Sequence, residues 1–191
     1  MQPKLYMTLL GCTPKGRHTE QHDIFFGIGH SLADLKSAME KFWPGTQLHI
    51  DAWREVTNVD GFVVKVIPNE GSKENISNQL FFLNLGGYRQ NEFEEFHYKM
   101  LTVAADKGDA VSAALKTAFY KHTSLPGPGT SHIDDRYGVD VDDIYAIEDI
   151  LSDAFKKQYC IQISNAAAVG LDEDELHLGY TKWSSLQRTK E

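Results

Sequence analysis

The chain carries one short pattern twice. Leu5-Tyr6-Met7-Thr8-Leu9-Leu10-Gly11 is echoed 75 residues later by Leu80-Phe81-Phe82-Leu83-Asn84-Leu85-Gly86. Glu20-x-His22 recurs at the same offset as Glu95-x-His97. Five of the eighteen positions from Leu5 to His22 are identical in the second stretch, where ordinary residue frequencies give roughly one. His49-Ile50-Asp51 recurs as His132-Ile133-Asp134, at an offset of 83. A module present twice leaves apolar sheet face that a neighbour must cover. The repetition therefore predicts an α+β fold: two tandem ββαββ repeats, rich in antiparallel sheet, packed about an approximate two-fold axis into one compact unit.

The element pattern fits that frame. In the first copy, Leu5 to Leu10 and His22 to Gly29 read as strands, apolar and aromatic or β-branched. Ser31 is a helix N-cap with Asp34 in the first turn. Leu32, Leu35, Met39 and Phe42 form the apolar stripe, and Pro44-Gly45 stops the helix. Leu48 to Val56 and Phe62 to Ile67 read as strands around the turn Asn58-Val59-Asp60-Gly61. Residues 1–67 are thus the first repeat and 68–79 a polar linker. Residues 80–165 are the second repeat, with strands at Leu80 to Leu85 and Phe96 to Ala104 and a helix near Asp109 to Tyr120. The Leu125-Pro126-Gly127-Pro128-Gly129 loop carries the eight-residue insertion. Ile144, Ile147 and Leu151 predict an extra helix over Val141 to Phe155. Tyr159 to Ile163 is assigned as the fourth strand of this repeat. Residues 166–191 form a C-terminal extension with a short strand near Glu175 to Tyr180 and a frayed tail from Ser185.

Charge excludes two partner classes. Nineteen Lys and Arg stand against 27 Asp and Glu, a net charge of −8. Nucleic acids and anionic membranes demand dense positive charge, so neither is expected as a partner. The N-terminal apolar run is too short for a signal peptide or a membrane span. Two cysteines, Cys12 and Cys160, do not make a disulfide framework, and the expected location is cytoplasmic.

The polar residues shared by the two copies are the candidates for chemistry. Residues two apart on a strand share a face, so Glu20 with His22, and His49 with Asp51, form two imidazole–carboxylate pairs. Glu95, His97, His132 and Asp134 are their counterparts. Such donors suit zinc, manganese or ferrous iron, and a carboxylate can equally orient an imidazole for proton transfer. The plainer alternative is that these side chains cap strand ends and bond backbone groups. Cys12, near His18 and His22, has the makings of a thiolate nucleophile, but Gly87 stands at its place in the second copy. His177, between Leu176 and Leu178, reads as an exposed strand residue.

Leu10-Gly11-Cys12, Glu20-Gln21-His22-Asp23, Phe42-Trp43 and His49-Ile50-Asp51 resemble a bacterial family catalogued as domain of unknown function 1543. Leu85-Gly86-Gly87-Tyr88 and Phe93-Glu94-Glu95-Phe96-His97 look like a second copy of it. The resemblance runs from about Lys4 to about Asp134 and implies a tandem protein of that family; it implies no activity, because the family has none assigned. No complete catalytic motif is present, and the cofactor is open. The expected function is a small soluble binding or interaction protein for an unidentified small molecule or protein, with homo-oligomers formed through sheet edges as a further expectation. The competing expectation is a metal-dependent enzyme using a divalent ion at the repeated Glu-x-His and His-x-Asp pairs.

Overall fold

A computed structural model of the chain describes residues 2–71, 78–88, 91–116, 140–165 and 174–186. The architecture is mixed α+β with antiparallel sheets, and the chain divides into two units. The first comprises Met1–Lys73 and Leu151–Glu191, the second Glu74–Ile150. The described helices are short in each unit, and the sheets carry most of the pairing.

The first unit is built around β1 (Lys4–Cys12). It pairs antiparallel with β2 (Gln21–Gly29) on one side and with β3 (His49–Val56) on the other. Tyr6, Leu10 and Cys12 alternate toward one face of β1, where Phe25, Leu35, Met39, Leu48 and Ile50 complete a buried cluster. The helical turn Leu32–Leu35 and α1 (Lys36–Phe42) supply Leu35 and Met39. As the sequence predicts, Asp34 serves the helix start: its carboxylate accepts the backbone N–H of Ser31 at 3.0 Å. A second sheet consists of β4 (Asn58–Val59), β5 (Phe62–Pro68) and β9 (Tyr159–Asn165). The β4–β5 turn holds Asp60 at φ 53° and Gly61 at φ 77°, the left-handed pair that a tight hairpin requires.

The second unit pairs β6 (Gln79–Tyr88) with β7 (Glu95–Ala104) and β8 (Asp140–Ala146), in the order β7-β6-β8. Phe81, Leu83 and Leu85 alternate onto Ala110 and Ala114 of α2 (Lys107–Ala114). Asp106 caps α2 by accepting the N–H of Asp109 at 2.9 Å.

Two sequence expectations change. Val141 to Phe155 is not one helix: β8 occupies its first part, and two short helices follow, α3 (Ile147–Ile150) and α4 (Asp153–Gln158). Val141 and Ile144 pack on the second unit's core as strand residues, because the central strand β6 needs a partner along its second edge. Tyr159 to Ile163 is a strand, but it pairs along the whole of β5, from Phe62↔Asn165 to Pro68↔Tyr159, and so belongs to the first unit. Edge pairing of this kind is non-local, and a propensity pattern does not specify the partner. The strand near Glu175 to Tyr180 is β10 (His177–Thr181), which adds to the free edge of β3. The Pro-Gly loop, His132, Asp134 and the end of the tail lie outside the described residues.

Candidate metal centre

Gly11 is the pivot of the first unit's polar cluster. It pairs with His22 of β2 on one side and His49 of β3 on the other. The three residues form one rung across the sheet, so both imidazoles rise from the same face, opposite to Tyr6, Leu10 and Cys12. With no side chain on the middle strand, the rings lean together over Gly11. An added Cβ there would overlap His49 Nε2 and Asp51 Oδ2.

Two carboxylates close the cluster. Glu20 immediately precedes β2. Asp51 is the extra residue of a β-bulge: Leu9 pairs with Ala52 and Leu10 with Ile50, leaving Asp51 unpaired. Glu20 places Oε1 3.0 Å from His49 Nε2 and Oε2 3.6 Å from His22 Nε2. Asp51 places Oδ1 3.3 Å from His49 Nε2 and Oδ2 3.3 Å from His22 Nε2. Each carboxylate therefore spans both rings through its two oxygens. Asp51 Oδ2 is buried and has no hydrogen-bond partner among the described residues, an expensive state for an anionic oxygen.

Strand β10 walls the site. Tyr180 lies 4.7 Å from the His49 ring, centre to centre, and His177 stacks on Trp53 at 3.8 Å with an interplanar angle of 13°. His177 is thus a stacking partner as well as a strand residue. Its strand is anchored by Asp174, which accepts the backbone N–H groups of Thr57 and Asn58 at 2.8 and 3.0 Å, the Thr57 hydroxyl, and Arg54 at 3.0 Å. Burial alone would raise the Asp174 pKa, but these donors outweigh it and hold the carboxyl below its usual range.

In the second unit, Gly86 pairs with His97 and with Asp140. The register of β8 against β6 shifts between Asn84 and Leu85, at Asp142, and the Asp142 carboxylate occupies the space a Gly86 Cβ would fill. His97 Nε2 lies 3.4 Å from Asp142 Oδ2 and 4.0 Å from Glu95 Oε2. Glu95 and His97 thus come together as their spacing implies. Asp142 is a residue the sequence reading missed. Its signal was Asp140-x-Asp142, which the better match of His132-Ile133-Asp134 to His49-Ile50-Asp51 concealed. Cys12 is 1% exposed within the core cluster, which removes the access a thiolate nucleophile needs.

Comparison with known proteins agrees with this geometry in fold and assigns no activity. Residues 17–66 match the family described as Domain of Unknown Function (DUF1543). That span covers Glu20, His22, His49 and Asp51. No curated protein matches the chain. Among solved structures, the crystal structure of a protein Il1583 from Idiomarina loihiensis is similar, with a TM-score of 0.61 and 21% identity over 93% of this chain and 95% of that one. No helix among the described residues is long and apolar enough to cross a membrane. The chain therefore resembles a family without an assigned function, over a stretch that contains the whole first-unit cluster.

Proposed function

We propose that this chain is a divalent-metal-binding protein whose principal site is Glu20, His22, His49 and Asp51. One observation carries the reading. Each of the two imidazole nitrogens lies 3.0–3.6 Å from one oxygen of both carboxylates, four different oxygens in all, so an ion shared by the four side chains needs one oxygen of each carboxylate to turn toward both rings. A tetrahedral ion with bonds of about 2.0–2.1 Å sets its donors about 3.3–3.4 Å apart. Two imidazoles and two carboxylates are a zinc-type donor set, and a cation would satisfy the orphaned Asp51 Oδ2. Four protein donors fill a tetrahedral shell, so the reading is a binding centre, with no reaction assigned to it.

The second unit's matching rung, bulge and glycine support a duplicated module behind the two units. The family resemblance supports a bacterial source. Cys12 and Cys160 are in no disulfide, which fits a reducing cytoplasm.

The test is zinc binding by untagged, full-length protein after chelator treatment and dialysis. The wild-type protein should retain one tightly held equivalent, and the His22→Ala/His49→Ala variant should lose it while keeping its far-ultraviolet circular dichroism. Zinc uptake that is absent, or unchanged in a folded double variant, would sink the reading.

A further inference from the structure

We propose that Glu95, His97 and Asp142 form a second cation site, which takes a harder divalent ion of the manganese type and keeps coordination positions open to water or an oxygen ligand. The inference goes beyond the first-unit site and stands on the second unit's own distances.

One donor atom from each of the three residues can be chosen so that all lie within 4.8 Å of one another. His97 Nε2 is 3.4 Å from Asp142 Oδ2 and 4.0 Å from Glu95 Oε2, a wider set than that around His49. Independently, the backbone builds the site by the same device as the first. Gly86 clears the centre of the rung, His97 stands beside it, and the bulge after Leu85 turns Asp142 inward. Tyr88 stands opposite Glu95 in the β6–β7 ladder, a neighbour placed to orient a ligating carboxylate.

The chemistry differs from the first unit in one respect. Where that site has His49 on the rung, this one has Asp140. The three-donor set holds one imidazole and two carboxylates, which shifts preference from zinc toward oxygen-loving ions. Three protein donors on a six-coordinate ion leave three positions for water. A small oxyanion, a carboxylate or a phosphate, is the ligand class that such positions admit.

The probe is manganese(II), added to untagged full-length protein with and without one prior equivalent of zinc. Water-proton relaxation reports bound manganese that retains water. One manganese equivalent with enhanced relaxation is expected in both samples. His97→Ala/Asp142→Asn should weaken it at least tenfold, whereas His22→Ala/His49→Ala should leave it in place. Manganese uptake that is absent, or insensitive to the His97/Asp142 change in a protein that keeps its circular dichroism, would overturn the proposal. Because the zinc and manganese readouts respond to different pairs of substitutions, either site can fail without the other.

Discussion

The Cβ that Gly11 lacks would fall on the imidazole of His49. The absence of a side chain on the central strand is what lets residues from its two flanking strands meet. Gly11→Ala should therefore push His49 and Asp51 apart. The expected cost is about 1–3 kcal/mol of stability, as for other overpacked sites, together with at least a tenfold loss of zinc affinity. Chemical denaturation and zinc titration of the same variant would check both effects. A variant that binds zinc normally would contradict the pivot role.

Asp51→Asn should move stability and binding in opposite directions. Without a cation, Glu20 and Asp51 bring two negative charges to the same pair of imidazoles, and like charges in one site oppose each other. Removing one charge should raise the melting temperature of the metal-free protein by a few degrees and weaken zinc binding at least tenfold. Differential scanning calorimetry with and without zinc separates the two. If melting temperature and affinity both fall, the residue is a structural bond.

Asp174 ties the C-terminal strand to the β3–β4 segment within the first unit. Asp174→Asn should cost about 1–3 kcal/mol, the range for disrupting hydrogen bonds to a buried charged group. Its folded-state pKa is depressed, so its stabilisation is present above the ordinary carboxyl pKa and is lost as pH falls through the folded value. Guanidinium denaturation from pH 6 down to pH 3 should show a steeper loss in the wild-type protein than in the variant. Amide exchange in His177–Thr181 should quicken in the variant.

Tyr6 gives the opposite pH dependence. Burial, with the nearby Glu55 carboxylate that accepts its hydroxyl at 3.2 Å, pushes its pKa up to about 12. The unfolded phenol ionises near 10. Its contribution is therefore complete below pH 10 and fades as pH rises toward 12. An ultraviolet titration of folded protein should show a late-ionising tyrosine that disappears in Tyr6→Phe. Ionisation of every tyrosine near pH 10 would contradict this.

The hairpins were legible in the sequence because their signals are local. The apolar runs Leu5 to Leu10 and Leu80 to Leu85, and the Asp60-Gly61 turn, act over a few positions. Glu20 with His22, and His49 with Asp51, were legible as pairs for the same reason. Their convergence was not, because it depends on Gly11 standing on the same rung as both histidines. Asp142 escaped because a bulge sets its direction, and a bulge comes from strand register rather than from composition. The partner of β9 escaped because residues 91 apart in sequence, Pro68 and Tyr159, meet in its ladder.

That ladder orders events on the ribosome. The second unit draws β6, β7, α2 and β8 from one continuous stretch, Glu74–Ile150, so it can close as soon as that stretch has emerged. The first unit is started earlier but finished later: β5 waits for β9, and β3 waits for β10. During synthesis the oldest part of the chain therefore carries bare strand edges while the younger unit folds. Nascent chains paused before Tyr159 should be the ones most in need of chaperone protection.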